Sequence, residues 1–227
     1  MHLLAALPGE ISDGSEAVDF GQSPGDIIYI SAADTELNCL AQALRNLKLN
    51  NIDFPSLRLA NLIHLNHNMS VDLYVSSVIE KSKAVIIRVL GGYSYWSYGL
   101  DEVISVCRSK DIPLGLLPGD DQPDIELIEL STLQPDEVHR IWQYQVHGGI
   151  ENAMQMLNYL ANQIGYNRTW LEPVTLLRAG LYWPNENAPD INLIRSKWAN
   201  YNPIIGVVFY RALIQANDTN TVDMIIS

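Results

Sequence analysis

Apolar residues follow two different patterns along the first half of the chain. Some segments are short and almost continuously apolar, while others carry apolar residues at every third or fourth position. The continuous runs occupy positions 2–6, 27–32, 56–60, 84–90 and 112–117. Strands that are apolar on both faces are typical of parallel sheets with helices on each side, whereas a sheet with one hydrated face alternates apolar and polar residues. The runs therefore predict five parallel strands.

Segments with helical spacing separate these runs. Apolar residues recur at helical intervals over 37–47, behind Asp34, which we predict to be the N-cap. A second helix is predicted behind Ser70 as its N-cap, and a third includes 100–107. Alternating strands and helices predict an α/β fold with an open, mainly parallel, flavodoxin-like or Rossmann-like sheet and helices on both faces. The strand order is not encoded in this pattern.

The pattern changes after residue 123. A helix is predicted to begin at Pro135, since proline fits the first helical turn, and the apolar repeat at 150–164 predicts a second helix that forms a hairpin with it. This hairpin completes a first α/β domain, residues 1–172. Residues 173–227 are predicted to be a junction and the start of a second α/β unit, with a core strand at 203–210. A βαβ unit needs about 30 residues or more, so we expect the natural protein to continue.

Composition and charge argue against two classes of partner. The chain has 14 Lys and Arg against 26 Asp and Glu, which gives a formal net charge of −12. Nucleic acids and anionic membrane surfaces attract positive charge, so we expect neither partner. No signal region is evident, and no apolar run approaches the about 18 residues of a membrane span. Because Cys39 and Cys107 also read as buried free thiols, we expect a cytoplasmic protein.

Glycines and aromatic residues follow one predicted strand. Ligands of open parallel sheets bind beyond the carboxyl ends of the strands, and Gly91, Gly92 and Tyr93 come directly after the run at 84–90. The glycines would let a ligand approach backbone amides closely, and the aromatic ring offers a flat surface for a macrocycle. The alternative is a tight strand-to-helix turn whose aromatic rings pack against the sheet.

Two arginines interrupt apolar strands, where charged side chains are rare. Arg58 lies in the run at 56–60 and Arg88 in the run at 84–90. A buried guanidinium must be paired, so each predicts either an internal ion pair or a contact to carboxylates or amides of a substrate. Trp183 also has two interpretations: it could stack on a macrocycle, or it could anchor a domain junction.

An acidic cluster follows the last predicted strand. Asp120, Asp121 and Asp124 could bind a hard cation, but such ions take about six to eight oxygen ligands, and a solvated turn is the alternative. Glycine-rich nucleotide-binding motifs and the GxSxG nucleophile motif are absent. We therefore predict no catalytic residue, no bound ATP and no complete metal site, with Asp120 and Asp121 as the candidate metal ligands.

Several longer segments carry a resemblance more specific than any periodicity. They are SLRLANL (56–62), MSVDLY (69–74), RVLGGYSYW (88–96), LLPGDDQPD (116–124), RAGLYWP (178–184) and VFYRALI (208–214). In this order they resemble the amino-terminal portion of the cobaltochelatase large subunit of the CobN type. That family also includes the porphyrin-binding H subunit of magnesium chelatase.

The resemblance implies a function. Such a subunit binds a tetrapyrrole and, with an AAA+ ATPase subunit and a second accessory subunit, forms an ATP-dependent chelatase. For the cobalt enzymes the resemblance implies insertion of cobalt into hydrogenobyrinic acid a,c-diamide in cobalamin biosynthesis. ATP and Mg would be bound by the partner subunits, and no cofactor is expected on this region, which alone would be inactive. The main metal-insertion cavity would lie in the later part of the subunit.

Two alternatives stay open at this point. A magnesium chelatase homologue would differ in the metal and the macrocycle. A non-enzymatic flavodoxin-like binding or interaction module would have no chelatase role.

Overall fold

The computed structural model describes residues 17–50, 53–186, 188–198 and 203–226, so the strand predicted at 2–6 lies outside the described residues. The other four predicted strands are confirmed as one parallel sheet in the order β2-β1-β3-β4. These strands are β1 (Ile27–Ser31), β2 (Leu57–Asn61), β3 (Ala84–Val89) and β4 (Leu114–Pro118). Every residue of β1, β3 and β4 is buried, as continuous apolar runs require.

Helices cover both faces of the sheet, which confirms the predicted open α/β fold. Ile28 and Ile30 of β1 contribute to a core on one face, and Ile27 and Tyr29 contribute to a core on the other. The first face packs against helices α2 and α3, and the second packs against helices α1, α5 and α6. Their bounds are α1 (Asp34–Asn50), α2 (Asn68–Ser77), α3 (Ser97–Ser109), α5 (Pro135–His147) and α6 (Ile150–Gln163).

The strand order places a topological switch point between β1 and β3. The chain leaves β1 toward β2 on one side and then returns to β3 on the other. In open α/β sheets this reversal leaves a crevice at the carboxyl ends of the two strands, where ligands bind.

Two predicted N-caps are wrong. Asp34 is the first residue of α1 rather than its cap. The cap of α2 is His67, whose Nδ1 accepts a hydrogen bond from Met69 N at 3.2 Å. Ser70 instead lies buried within α2, where its hydroxyl accepts a hydrogen bond from Val18 N at 2.7 Å. A serine oxygen accepts an amide proton in either setting, so the residue type alone does not distinguish a cap from a tertiary contact.

The predicted helical hairpin is confirmed, and Gly148-Gly149 joins α5 to α6 with positive φ at both glycines. Before it lies the short helix α4 (Ile125–Leu130), which Asp124 caps by accepting a hydrogen bond from Leu127 N. After the hairpin come α7 (Ile191–Ser196), α8 (Ala212–Gln215) and α9 (Asn220–Ile226).

Residues 203–210, predicted as the core strand of a second α/β unit, form no strand in the structure. The segment pairs with no strand among the described residues, and most of its large apolar side chains are exposed. A β-branched apolar run indicates strand propensity, but a strand also needs a partner. The division of the chain at residue 173 stays a prediction.

Within the described ranges, no helix is long and apolar enough to cross a membrane.

Candidate functional site

The carboxyl ends of β1 and β3 bring a carboxylate and a guanidinium together at the switch point. Ser31, the last residue of β1, lies in register with Arg88 of β3. Glu36, in the first turn of α1, forms an ion pair with Arg88 Nη1 and accepts a hydrogen bond from Ser31 Oγ at 2.9 Å. Tyr29 OH donates to the same carboxylate at 3.4 Å. We call these four residues the switch-point network.

Arg88 is held almost entirely by protein groups. It is 9% exposed, and taking a guanidinium out of water is costly unless its donors are paired. Besides the Glu36 ion pair, its Nε donates to Pro118 O at 3.0 Å and its Nη2 to Gly119 O at 2.8 Å. The structure therefore shows the internal ion pair that was one of the two interpretations of Arg88. Contact of Arg88 with a substrate stays a prediction.

Burial raises the pKa of one phenol and of both thiols in the core. Burial, with a further contribution from the Glu36 carboxylate, raises the pKa of Tyr29 well above its usual value. Burial and Glu36 likewise raise the pKa of Cys39 to about 11, and burial raises the pKa of Cys107 to about 12. Both cysteines are buried free thiols, as predicted, and a thiol with a raised pKa is a poor nucleophile at neutral pH.

A cavity of about 180 Å³ opens beside the switch-point network. Glu36, Cys39 and Arg88 form one side, the Gly148-Gly149 turn forms another, and α8 closes it. Pockets for small molecules measure about 300–1,000 Å³. The cavity therefore suits water or a small polar molecule and is too small for a macrocycle.

Helix α8 is fixed against the hairpin turn by backbone and side-chain hydrogen bonds. Gly149 N donates to Gln215 O at 2.7 Å, and Gln215 Nε2 donates to Val146 O at 2.7 Å. A Cβ on Gly148, which has φ +65°, would lie 2.8 Å from Gln215 O. Glycine at this position therefore permits both the turn and the close approach of α8.

The glycines after β3 form the tight turn that was one of their two interpretations. Gly91 and Gly92 have φ values of +92° and +75°, and a 3-10 helix of Tyr93–Tyr95 follows. Tyr93 OH donates to Asp101 at 2.8 Å, while Trp96 is buried and donates from Nε1 to Leu65 O at 2.8 Å. These rings are occupied by contacts within the protein, and a role for Gly91, Gly92 and Tyr93 in substrate binding stays a prediction.

The aspartates after β4 lie on an exposed turn. Asp120 Oδ1 accepts a hydrogen bond from Gln122 N at 3.0 Å, and its carbonyl accepts one from Trp142 Nε1 at 3.1 Å. Asp121 forms an exposed ion pair with Arg178 at 3.5 Å. Among the residues that the structure describes, no group of three or more His, Cys, Asp or Glu side chains could hold a metal ion. A role for Asp120 and Asp121 as metal ligands stays a prediction.

The remaining candidates lie apart from the switch point. Arg58 is the second residue of the edge strand β2, in register with Ile28, and its guanidinium donates to Pro24 O and to the carbonyl and hydroxyl of Ser23. It therefore fixes the segment before β1 by carbonyl contacts rather than by the predicted ion pair. Trp183 is half-buried in the loop before α7, where its carbonyl accepts a hydrogen bond from Glu186 N.

Glu36 is a residue of the candidate site that the sequence did not reveal. An acidic residue in the first helical turn is ordinarily explained by the helix dipole, so it gives no separate signal. Glu36 lies five residues after the end of a β strand at the switch point. That position indicates a candidate site residue, but only once the strand order is known.

Comparison with known proteins gives the family. Residues 142–227 match the family described as CobN/Magnesium Chelatase. The whole chain aligns at 38% identity with aerobic cobaltochelatase subunit CobN from Sinorhizobium sp, and 96% of it aligns at 35% identity with the subunit of the same name from Pseudomonas aeruginosa. This chain belongs to the CobN/magnesium chelatase family. The resemblance stated from its sequence segments is thereby confirmed.

The match covers a small part of each relative in this family. The chain spans 18% of the length of the Sinorhizobium subunit and 17% of the Pseudomonas subunit. The solved catalytic subunit of cobaltochelatase from Mycobacterium tuberculosis superimposes on 87% of this chain and 14% of its own, with a TM-score of 0.59. At 24% identity that structure supports the fold alone.

Proposed function

We propose that this chain is the amino-terminal region of the large tetrapyrrole-binding subunit of an ATP-dependent cobaltochelatase. The complete enzyme would insert cobalt into hydrogenobyrinic acid a,c-diamide, a step of cobalamin biosynthesis, in the cytoplasm. An AAA+ ATPase subunit and a second accessory subunit would bind ATP and Mg. The observation that carries the proposal is the alignment of the whole chain with a cobaltochelatase subunit at 38% identity.

Within that subunit, we propose that this region is a scaffold that positions and gates the substrate rather than the place of metal insertion. The cavity at the switch point is about 180 Å³, too small for a tetrapyrrole, and the charged groups beside it are paired with each other. The described residues also offer no cluster of metal-ligating side chains. These three observations favour a chelation site elsewhere in the full subunit.

The test is a reconstituted insertion assay. The full natural subunit is purified and mixed with its ATPase and accessory subunits, ATP, Co²⁺ and hydrogenobyrinic acid a,c-diamide, and the absorbance change of the macrocycle is followed. We expect cobalt insertion that requires ATP and the large subunit. The 227-residue chain in place of the full subunit is expected to give no insertion.

Matched reactions distinguish the alternatives. Insertion of Mg²⁺ into protoporphyrin, without cobalt insertion, would identify a magnesium chelatase subunit, which the matching family also includes. Absence of both activities from a folded and fully reconstituted complex would favour the non-enzymatic binding module.

A further inference from the structure

The carboxyl edge of the sheet exposes large apolar side chains. Among the described residues before 170, those that are more than half exposed lie on the connections that leave the ends of β2, β3 and β4, with Leu49 as the exception. They are Ile63 and Met69 after β2, Leu90 and Tyr95 after β3, and Ile125 after β4. Exposed apolar residues scattered singly are normal, whereas a group of them on one side of a protein marks an interaction site.

Contacts between the three connections make this edge one surface. Tyr98, in the first turn of α3, donates from its hydroxyl to Asp72 of α2 at 2.7 Å. A Cβ on Gly119, after β4, would lie 2.5 Å from the Cα of Leu90, so these two turns are in direct contact. We call residues 62–73, 90–102 and 119–129 the carboxyl-edge surface.

The charge of the carboxyl-edge surface has one sign. Its three segments contain Asp and Glu but no Lys or Arg. Asp121 is paired with Arg178 at 3.5 Å, and Asp124 caps α4. Glu126 is exposed and forms no ion pair within the described part of the chain. An apolar surface bordered by carboxylates is complementary to a partner whose apolar side chains are bordered by Lys or Arg.

The same charge argues against other occupants. A second copy of this chain would bring a further formal charge of −12 to an acidic surface. Anionic membranes and nucleic acids are repelled for the same reason. Among the described residues, no group of three or more His, Cys, Asp or Glu side chains could hold a metal ion, so a bound cation does not account for the carboxylates. These observations favour a protein with a basic and apolar surface.

We propose that the carboxyl-edge surface docks another subunit of the same enzyme, which presents Lys or Arg side chains around an apolar centre. The inference rests on the proposed function, which supplies an ATPase subunit and an accessory subunit as the candidate partners. Ile125 would enter the apolar centre of the interface, and Glu126 would lie at its rim. Rim charges act mainly on the rate of association and are screened by salt, so the docking weakens as the salt concentration rises.

Binding of purified subunits tests the proposal. The full natural large subunit is titrated with the ATPase subunit and with the accessory subunit, separately, at about 50 mM and about 300 mM salt. We expect saturable binding of at least one of them, and a dissociation constant at least about 10-fold lower at the lower salt concentration. Absence of binding by both subunits would overturn the proposal, and so would binding that does not depend on salt.

Hydrogen exchange measured by mass spectrometry locates the contact. Exchange of residues 90–102 and 119–129 should slow when the partner is added to the full large subunit. These segments should exchange in the large subunit alone as they do in the 227-residue chain. Protection that is complete before a partner is added would overturn the proposal, because the subunit's own chain would then cover the surface.

Two charge reversals at matched helix positions test the carboxylates. Glu126 and Asp136 are both exposed, and each is the second residue of its helix, so reversal changes the interaction with the helix dipole alike. Asp136 lies at the opposite end of the sheet, since Leu133 N donates to Leu114 O at the start of β4. Glu126→Lys in the full subunit should weaken binding by about 10-fold at low salt and by less at high salt. Asp136→Lys should leave the affinity unchanged, and equal affinities of the two variants would contradict the docking surface.

A second pair of variants tests the apolar centre. Ile125 is 70% exposed and Leu49, on α1, is 83% exposed, so replacing either with Asn removes little contact within the protein. Ile125→Asn in the full subunit should weaken binding by about 5-fold or more, as for an apolar side chain that an interface buries. Leu49→Asn is the control and should bind normally. An unchanged affinity of Ile125→Asn would refute the apolar contact and with it the proposal.

These results separate the inference from the proposed function. A large subunit that binds a partner through Ile125 and Glu126 but inserts no cobalt would keep the docking surface and reject the cobaltochelatase assignment. A complex that inserts cobalt while both variants bind normally would do the reverse.

Discussion

At the scale of single residues, the strongest electrostatic feature is the ion pair between Glu36 and Arg88. Both side chains are largely buried, with 20% and 10% of their surface exposed. Removing one member of a buried pair leaves the other charge without a counter-ion, which is destabilising. Replacing both members with apolar groups leaves no buried charge. We therefore expect the loss of one member alone to cost more stability than the replacement of both.

A double-mutant cycle measures this coupling. Glu36→Leu is expected to lower the free energy of unfolding by about 3–5 kcal/mol, because Arg88 stays buried and charged. Arg88→Met should cost less, since Ser31 and Tyr29 still donate to the Glu36 carboxylate. The double variant should lose clearly less than the sum of the two single losses. Urea denaturation of the 227-residue chain gives all three values.

An exposed ion pair is the matched control for this cycle. Glu80 and Lys110 lie 3.0 Å apart at the surface, so the corresponding cycle of Glu80→Leu and Lys110→Met should show coupling of about 1 kcal/mol or less. Additive losses for Glu36 and Arg88 would show that their contact contributes nothing specific.

Asp26, at the opposite end of the strands, makes a pH-dependent contribution to folding stability. Burial alone would raise the pKa of Asp26, but hydrogen bonds from Ser56 and Lys83 outweigh burial and lower it from 3.8 to about 2. Ser56 donates from both its amide and its hydroxyl, at 2.8 and 2.7 Å. Because the folded-state pKa lies below the unfolded value, the stabilisation is present above about pH 4 and is lost as the pH falls toward about 2.

The corresponding prediction concerns Asp26→Asn. This variant should unfold more easily than the natural chain at pH 7, and the difference should shrink as the pH falls from about 4 to about 2. Denaturation curves of both proteins across that range provide the measurement. A difference that stays constant down to pH 2.5 would show that the Asp26 charge is not the stabilising group. Lys83→Met should reproduce a smaller part of the same effect.

At the scale of elements, the hairpin of α5 and α6 joins the sheet to the carboxyl-terminal segment. Helix α6 packs on α1 and α5, and α5 packs on β4. The turn between α5 and α6 forms a hydrogen bond with α8. The turn is made by two glycines with positive φ, a conformation that other residues rarely adopt. Small size at Gly148 is therefore needed for backbone geometry and for the contact with Gln215.

Two glycine-to-alanine variants separate these roles. Gly148→Ala and Gly165→Ala both place a Cβ at positive φ, at +65° and +93°, and each should cost about 1 kcal/mol in backbone strain. Only the Cβ at Gly148 would collide with Gln215, since nothing lies within 4 Å of the one at Gly165. We therefore expect Gly148→Ala to be the more destabilising and to speed exchange of the Gly149 amide, which donates to Gln215. Equal effects in urea denaturation and hydrogen exchange would refute the contact.

At the scale of the whole molecule, three of the candidate substrate contacts lie away from the cavity at the switch point. Arg58 lies on the edge strand, Tyr93 follows β3, and Trp183 lies before α7. The structure does not gather them into one pocket. If this region contributes to tetrapyrrole binding, it does so together with later parts of the subunit.

Trp183 provides the test at this scale. Titration of the full subunit with hydrogenobyrinic acid a,c-diamide is followed by quenching of intrinsic tryptophan fluorescence. Stacking on a macrocycle would make Trp183→Ala weaken binding by about 2- to 10-fold, as expected for an aromatic contact. Trp198→Ala, in the segment after α7, is the control for loss of a fluorophore. Unchanged affinity in Trp183→Ala would leave Trp183 as a junction residue.

The sequence by itself determined the class of fold. Continuous apolar runs identified β1, β3 and β4, and helical repeats identified α1, α3, α5 and α6, because burial on one or both faces imposes a period on the chain. The resemblance of its longer segments also gave the family. The same patterns correctly indicated that Cys39 and Cys107 are buried thiols, since both lie on apolar helix faces.

Only the tertiary structure decided the contacts between distant residues. Strand order placed Arg88 beside Glu36, although 52 positions separate them in the chain. The caps at Asp34 and Ser70 were misassigned because hydroxyl and carboxylate oxygens serve local and tertiary contacts equally well. Residues 203–210 have the β-branched, apolar composition of a strand but form none in the structure, because a strand also needs a partner that periodicity cannot supply. The local sequence pattern indicates which residues are buried. Which distant residues contact each other depends on how the strands and helices pack in the folded protein.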